Sequence, residues 1–392
     1  MTNSNDTSMS SLWYQQWQLM RQNSWLIALL TWVPLAGFML LWWIFSAGLA
    51  TKLPIAVIDL DHSQMSRSLI SYYDASPTLS VQSVESEPKA RALMRQADVY
   101  ALVIIPHSLE KHARLGQAPN VVAYYNAQFM VAGKLISSAL QKSQGTFNAQ
   151  QSVASALSKG DIKLSQAKAS ALPIQNQTTA LFNSNNNYAQ FIVSAALPAF
   201  WQVLIMAVMV IALGSELKND SLKSWLMTNP CQKITVKLLF FGSLLFVHGG
   251  LFCYLMYGYF GWPMRGSWSL LLLALLLCLI ASQALCVLFM LLFNDMARAM
   301  SFAGALAAPS FAFMGISFPV GDMSWFAQFW RSIIPITHYI EVQIAQANYG
   351  APIAQSIPSI MKLLVFFVLF VSITLLVKNM LKNKELESEV GQ

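Results

Sequence analysis

The sequence predicts an α-helical polytopic membrane protein with six transmembrane helices and an inserted extracytoplasmic α/β domain. Hydrophobic residues make up 56% of the 392-residue chain and charged residues only 10%, whereas a soluble globular protein carries about 25% charged residues. Six apolar runs are long enough to cross the roughly 30 Å hydrocarbon core of a bilayer. A long polar segment, in which strand and helix patterns alternate, separates the first run from the second.

The predicted spans are apolar runs with few or no charged residues. The shortest of them, residues 360–377, has 18 residues and reaches about 27 Å at 1.5 Å per residue. The first is predicted to be an uncleaved anchor, because its apolar run of about 20 residues exceeds the 7–15 residues of a signal peptide. The six spans are residues 26–50, 190–213, 236–259, 269–293, 300–318 and 360–377.

The polar segment between the first two spans, residues 51–188, is predicted to be the extracytoplasmic domain. Its first half alternates strands with helices, which indicates a small sheet covered by helices on at least one face. A long polar helix and a return segment rich in Ser, Asn, Gln and Ala follow. The predicted strands are residues 53–59, 78–84, 100–105 and 121–125, and the predicted helices are 63–73, 87–96, 109–115 and 128–156.

The distribution of basic residues predicts that both termini are cytoplasmic. Connections on the cytoplasmic side are enriched in Lys and Arg. Nine basic residues fall in the segments assigned to the inside and three in the short outer connections. The large polar domain is then exported, and none of the four cysteines lies in it. The nine are Arg21, Lys218, Lys223, Lys233, Lys237, Arg298, Lys378, Lys382 and Lys384, and the three are Arg265, Arg331 and Lys362.

Two further segments are predicted to lie at the membrane surface. Residues 1–25 form an amphipathic helix whose Trp13 and Trp17 suit the headgroup level; the alternative is a partly ordered tail. Residues 319–358 are rich in aromatic residues and Ile, which indicates short helices in the outer interface or dipping into it. Residues 379–392 are predicted to be a cytoplasmic tail.

The connection between the second and third spans, residues 214–235, is the most informative loop. Within it, residues 220–227 are predicted to form a short helix with Leu222, Trp225 and Leu226 on one side. An apolar edge on a cytoplasmic loop helix indicates a docking element for a soluble partner. The alternative is a solvated loop whose lysines only set the topology.

Several kinds of chemistry have no support in the sequence. There is no GxxxxGK[ST] motif, so the chain is not expected to bind ATP through a phosphate loop of its own. No GxSxG, HExxH or Cys/His ligand spacing occurs, Asp59 and Asp61 lack a third ligand nearby, and neither a catalytic residue, a metal nor a cofactor is expected. Basic residues form no cluster with aromatic residues, which argues against nucleic acid. The spans hold almost no ionisable residue apart from His248, so a proton-driven pump is not indicated.

Several stretches resemble the permease subunits of type-2 ATP-binding-cassette exporters, in the subgroup with a large exported domain between the first two spans. The resemblance follows the chain in order and covers nearly all of it. It is carried by LPIAVIDLDHSQMSRSL, SPTLSV and YALVIIP at the start of the polar domain, by GSELKNDSLKSWLMTNPCQKITVKLL in the loop, and by GISFPVGDMSW and IIPITHYIE before the last span.

This resemblance implies that the loop helix docks on a cytoplasmic ATPase subunit and that the N-terminal helix assists it. A Trp/Leu edge can fill a groove in a partner, while charged residues orient the contact. For Glu216 the alternative is a helix-end residue paired with Lys218 or Lys237. The residues to which the resemblance assigns coupling are Glu216, Lys218, Leu222, Trp225 and Leu226, with Trp13 and Trp17 as secondary candidates.

The resemblance further implies an exporter of the multidrug-efflux kind in a bacterial inner membrane, driven by separate ATP-binding-cassette ATPase subunits. Its expected substrate is hydrophobic or amphipathic, either drug-like or lipid-like, and leaves the cytoplasm or the inner leaflet. Expected partners are a second permease copy or homologue that forms a dimer, a periplasmic membrane-fusion protein, and membrane lipids. Two other classes stay open from the sequence: a membrane-anchored receptor or scaffold whose exported domain binds a ligand, and a membrane enzyme acting on lipids.

Overall fold

A computed structural model describes residues 8–46, 51–115, 117, 119–158, 182, 187–216, 225, 229–316 and 318–390. The chain divides into two compact units. One contains Met1–Gly48 and Ala180–Gln392, and is called the helical unit here; the other, Leu49–Thr179, is called the sheet unit.

The helical unit begins with α1 (Met9–Gln22), α2 (Ser24–Leu30) and α3 (Trp32–Phe45). Helices α2 and α3 are together long and apolar enough for one crossing, but they are bent by 45° relative to each other. The bend lies at Thr31, whose backbone is not helical. Pro34 contributes to the break, because it has no N–H to donate back into the preceding turn. In its described part, the predicted first span is therefore a broken pair of helices rather than one straight helix.

The sheet unit contains the four predicted strands, arranged in the order β2–β1–β3–β4. Strand β1 is parallel to β2 and β3, and β4 is antiparallel to β3. The strands are β1 (Leu53–Asp59), β2 (Leu79–Ser83), β3 (Ala101–Ile105) and β4 (Val122–Tyr125), and the helices are α4 (Gln64–Asp74), α5 (Glu87–Arg95), α6 (Leu109–Arg114) and α7 (Met130–Ser158).

Apolar clusters cover both faces of this sheet. On one face, Ile55 and Val57 pack with Tyr73 of α4 and Ile136 of α7. On the other face, Ala56 and Ile58 of β1 pack around Ala90 of α5. A strand buried on both faces has no polar alternation, which explains why LPIAVID is almost continuously apolar.

Asp59 and Asp61 organise the turn after β1. Asp59 Oδ1 accepts hydrogen bonds from the backbone N–H groups of Asp61 and His62, at 3.1 and 3.0 Å. Asp61 Oδ2 accepts one from the backbone N–H of Glu110 at 3.1 Å. Desolvation raises the pKa of Asp61, but the hydrogen bonds from Ser63 and from the α6 backbone outweigh it and hold that pKa below its usual value. Both carboxylates therefore cap backbone donors.

Among the described residues of the helical unit's second part, four helices are long and apolar enough to cross a membrane. They agree with the predicted second, third, fourth and sixth spans, although the sixth begins earlier than predicted. A π-helical turn, Tyr254–Tyr259, extends the second of the four. These crossings are α8 (Tyr188–Gly214), α9 (Pro230–Cys253) with its extension, α10 (Trp268–Phe293), and a last crossing over Ile353–Lys382.

The predicted fifth span, residues 300–318, is wrong as a single continuous helix. Helix α11 (Met296–Ala307) has 12 residues and is therefore only about 18 Å long. It ends before Pro309, which has no N–H to donate to the preceding turn and so weakens the helix at this point. The four-residue helix α12 (Ser310–Phe313) follows the break.

The segment predicted as outer interfacial helices, residues 319–358, contains two helices of different character. Helix α13 (Trp325–Ser332) exposes Trp325, Phe326 and Phe329, as expected for a surface helix. Helix α14 (Pro335–Gln343) is instead buried along most of its length. A π-helical turn, Ile344–Tyr349, and the two parts of the last crossing, α15 (Ile353–Val365) and α16 (Val368–Val390), follow.

Helix α14 is buried within the helical unit, and the position of residues 319–358 in the outer interface, or dipping into it, stays a prediction. Two of its polar groups find partners on α8: Gln202 Oε1 accepts the Ile336 N–H at 3.2 Å, and Gln343 Nε2 donates to the Ser194 carbonyl at 2.7 Å. Such hydrogen bonds offset part of the cost of burying polar groups, so a semi-polar sequence does not require a surface position.

Candidate functional site

The candidate site is the junction between the end of α8 and the start of α9, where the predicted docking loop leaves and returns. Of the primary candidates, Glu216 and Trp225 are described, and both lie at this junction. Lys218, Leu222 and Leu226 lie outside the described residues.

Lys237 is the central residue of the junction. It lies two turns into α9, and its side chain is 0% exposed. Its Nζ donates to Glu216 Oε1 at 2.6 Å and to the Ala212 carbonyl at 2.7 Å. Ala212 is in the last turn of α8, whose carbonyls have no partner within the helix. Ser215 Oγ donates to the same carbonyl at 2.7 Å. Lys237 and Ser215 therefore cap the buried end of α8 together, and Lys237 links α9 to α8.

Glu216 supplies the negative charge of this link. It follows the end of α8 by two residues, and its side chain is 18% exposed. The structure thus has the pairing with Lys237 that the sequence analysis held as an alternative for Glu216. In this conformation its carboxylate is used within the chain, and its predicted contact with a partner is untested.

Trp225 is the loop residue that completes the junction. The Nζ atoms of Lys233 and Lys237 lie 5.7 and 5.4 Å from its ring centroid, within the range of cation–π attraction. Lys233 Nζ also donates to the Trp225 carbonyl at 2.7 Å. The ring is partly buried and packs against the core of the helical unit. It faces the two lysines rather than forming a freely exposed docking edge.

The secondary candidates on α1 lie near the same part of α9. The Trp13 ring contacts the Phe240 ring edge-on, with centroids 5.4 Å apart, and Phe240 lies about one turn beyond Lys237. Trp17 is 47% exposed. The residues that α1 buries are Leu12 and Gln16, so the buried face is rotated from the predicted Trp face.

A second charged cluster, which the sequence analysis missed, lies near the last crossing. Arg331 is 6% exposed, and its Nη2 is 2.7 Å from Glu341 Oε1. Ser359 Oγ donates to Glu341 Oε2 at 2.6 Å, and Lys362 Nζ is 3.6 Å from the same oxygen. Arg331 and Lys362 had been assigned to outer connections. The available signal was the occurrence of charged residues within aromatic and apolar segments, which is costly unless they are paired.

The four long apolar helices, with a fifth crossing if α2 and α3 count as one, define a multi-pass membrane protein. The sequence matches the family model for ABC-2 family transporter proteins over residues 24–376. The chain belongs to this family. It is a permease subunit of an ATP-binding-cassette transporter: a membrane transport component that works with an ATP-binding-cassette subunit and is not itself the catalyst. No curated protein matches the sequence significantly.

This membership confirms the resemblance at the level of the ABC-2 permease. It favours a transport subunit over the receptor, scaffold and lipid-enzyme alternatives. The subgroup with a large exported domain, and the coupling roles of individual residues, remain predictions.

Proposed function

We propose that the chain is the transmembrane subunit of an ATP-driven exporter, and that the work of its ATPase partner enters through the α8–α9 junction. The cargo is a hydrophobic or amphipathic molecule, drug-like or lipid-like, that leaves the cytoplasm or the inner leaflet. The observation that supports this best is the buried Lys237, which joins the end of α8 to the start of α9, the two crossings that the loop connects in sequence.

The junction gives a physical route for coupling. A loop attached only through flexible backbone absorbs a displacement. Here the Lys237 ammonium is bonded to the end of α8 and to Glu216, and Trp225 packs on the same ammonium. A partner that moves the loop through Trp225 therefore displaces α8 and α9 together, and α1 follows through the Trp13–Phe240 contact.

The proposed setting is a bacterial inner membrane with both termini in the cytoplasm. The excess of basic residues on the proposed inner side supports this orientation, and it makes the sheet unit extracytoplasmic. Two permease copies, or this chain and a homologue, form the pathway with two ATPase subunits. A periplasmic membrane-fusion protein receiving cargo at the exported domain, and membrane lipids around the crossings, complete the proposed set of partners.

Affinity purification of the tagged chain from its native membranes, in several mild detergents, tests the proposal. Mass spectrometry identifies the proteins that copurify, and an assay on inside-out vesicles measures ATP-dependent uptake of fluorescent lipophilic and lipid-like probes. We expect a stoichiometric ATPase and uptake that stops when ATP is replaced by a non-hydrolysable analogue. Purification without an ATPase in every detergent, together with no ATP-dependent uptake, would overturn the proposal in favour of the receptor class.

A further inference from the structure

The helical unit contains a cavity that the proposed function does not use. Its volume is about 720 Å³, within the roughly 300–1,000 Å³ of typical small-molecule sites. It is lined by α13, α14 and the last crossing. The lining residues that matter here are the basic residues Arg331, His338 and Lys362 and the apolar residues Val365, Phe366 and Leu369.

The last crossing gives the cavity a charged end and an apolar wall. Lys362, Val365, Phe366 and Leu369 are spaced as i, i+3, i+4 and i+7, so they follow one side of the helical segment. Along that side the lining changes from an ammonium to apolar side chains over about 10 Å. This arrangement suits a ligand with a charged head and an apolar tail.

The charges at the polar end are not balanced. Arg331 and Lys362 carry two positive charges, and Glu341 carries one negative charge, which leaves one positive charge in excess. Arg331 and Ser359 already bond the two oxygens of Glu341 at 2.7 and 2.6 Å. Lys362, at 3.6 Å from Glu341 and half-exposed, is only loosely paired.

One hydrogen-bond donor at this end, Arg331 Nε, also lacks an acceptor among the described residues. Arg331 is almost fully buried. A guanidinium has five N–H donors in a planar fork that matches a carboxylate or a phosphate. An anionic group placed beside Arg331 and Lys362 would supply the missing negative charge.

We propose that this cavity binds one anionic amphiphile, with a phosphate or carboxylate head at Arg331 and Lys362 and an apolar tail along Val365 and Leu369. The half-exposed Lys362 is only loosely paired and lies beside an apolar wall, and the bound anion provides a pair for it. The inference concerns binding at this cavity and holds whether or not the bound molecule is the exported cargo.

The test uses the full chain in nanodiscs that contain equal amounts of phosphatidylglycerol and phosphatidylcholine. Native mass spectrometry measures the lipid retained by the wild type, Lys362→Gln, Arg331→Lys and the matched control Lys382→Gln, whose lysine is exposed outside the cavity. Arg331→Lys keeps the positive charge beside Glu341, so it separates loss of the fork from a failure to fold. No ATPase partner is needed, so the outcome is independent of the transport assay.

We expect the wild type and the control to retain one phosphatidylglycerol per chain in preference to phosphatidylcholine. Lys362→Gln should weaken this retention by about tenfold or more, as for loss of a hydrogen bond to a charged group, and Arg331→Lys should weaken it as well. Equal retention of the two lipids by the wild type, or a Lys362→Gln protein that matches the control, would overturn the proposal.

Competition distinguishes an amphiphile from a free anion. Dodecyl phosphate should displace the retained phosphatidylglycerol, whereas the same concentration of inorganic phosphate should not, because it cannot bury a tail. Displacement by inorganic phosphate as effective as that by dodecyl phosphate would assign the site to a free anion and refute the amphiphile.

Discussion

Replacing Lys237 by Met removes the ammonium that links α8 to α9 while keeping a long apolar side chain in its place. The Glu216 carboxylate then loses its partner at 2.6 Å, and the Ala212 carbonyl loses one of its two side-chain donors and keeps the Ser215 hydroxyl. Removing one member of a buried ion pair costs about 3–5 kcal/mol. Because 18% of the Glu216 side chain is exposed, water can solvate the remaining charge. Lys237→Met is therefore expected to lower the free energy of unfolding by about 3 kcal/mol, the lower end of this range.

Replacing the other member of the pair, Glu216→Gln, should lower the free energy of unfolding by more than Lys237→Met does. It keeps an amide oxygen that accepts from the ammonium, but it leaves a positive charge with no exposed surface and no negative partner. The double variant removes both charges, and replacement of a whole buried pair is often close to neutral. The double variant should therefore be more stable than either single variant, with a coupling energy of about 1–3 kcal/mol.

Equilibrium unfolding in mixed micelles of SDS and a non-ionic detergent, followed by tryptophan fluorescence, measures these free energies. Lys382→Met, at an exposed lysine, is the control and should change the unfolding free energy by less than about 0.5 kcal/mol. Single variants that resemble this control, together with additive effects in the double variant, would refute the buried link, since such behaviour is that of a solvated surface pair.

Two other predictions each compare two positions, the first to test helix packing and the second to test the orientation in the membrane. A Cβ added at Gly249 would lie 2.8 Å from the Trp201 ring of α8, whereas one at Gly250 would have nothing within 4 Å. Gly249→Ala should therefore lower the free energy of unfolding by about 1–3 kcal/mol, whereas Gly250→Ala should leave it unchanged or raise it by up to about 1 kcal/mol. Equal effects of the two substitutions in the same unfolding assay would contradict the packing of α9 on α8. Cys231 is exposed and the other three cysteines are buried, so a membrane-impermeant maleimide should label Cys231 in inside-out vesicles only. A cysteine introduced into the sheet unit by Lys89→Cys, in a Cys231→Ser background, should be labelled in right-side-out vesicles only. The opposite pattern would contradict the proposed orientation.

Local patterns were sufficient to predict most elements of the fold. The strands of the sheet unit and the four long crossings each follow from a contiguous run of residues, because hydropathy and periodicity are properties of the run itself. The break after α11 also had a local signal in Pro309, which the hydropathy of residues 300–318 concealed.

The candidate site depended on contacts that no local pattern contains. Lys237 looks like a loop lysine that sets topology, and its burial results from the end of α8 lying beside it, 25 residues away in sequence. The burial of α14 likewise depends on Gln202 and Ser194, which accept hydrogen bonds from residues 134 and 149 positions away. The resemblance assigned coupling to this loop, which stays a prediction, and the position of Trp225 beside Lys233 and Lys237 follows from contacts that it did not contain.

Coupling through Trp225 is the central claim, and the ATPase activity of purified complexes tests it most directly. Trp225→Asp is compared with Trp225→Phe, which keeps an aromatic ring near Lys233 and Lys237, and both must match the wild type in thermal stability. We predict that Trp225→Asp loses the copurifying ATPase or its coupled transport, whereas Trp225→Phe retains most of both. A stable Trp225→Asp protein with a full complement of ATPase and wild-type ATP-driven transport would contradict the account.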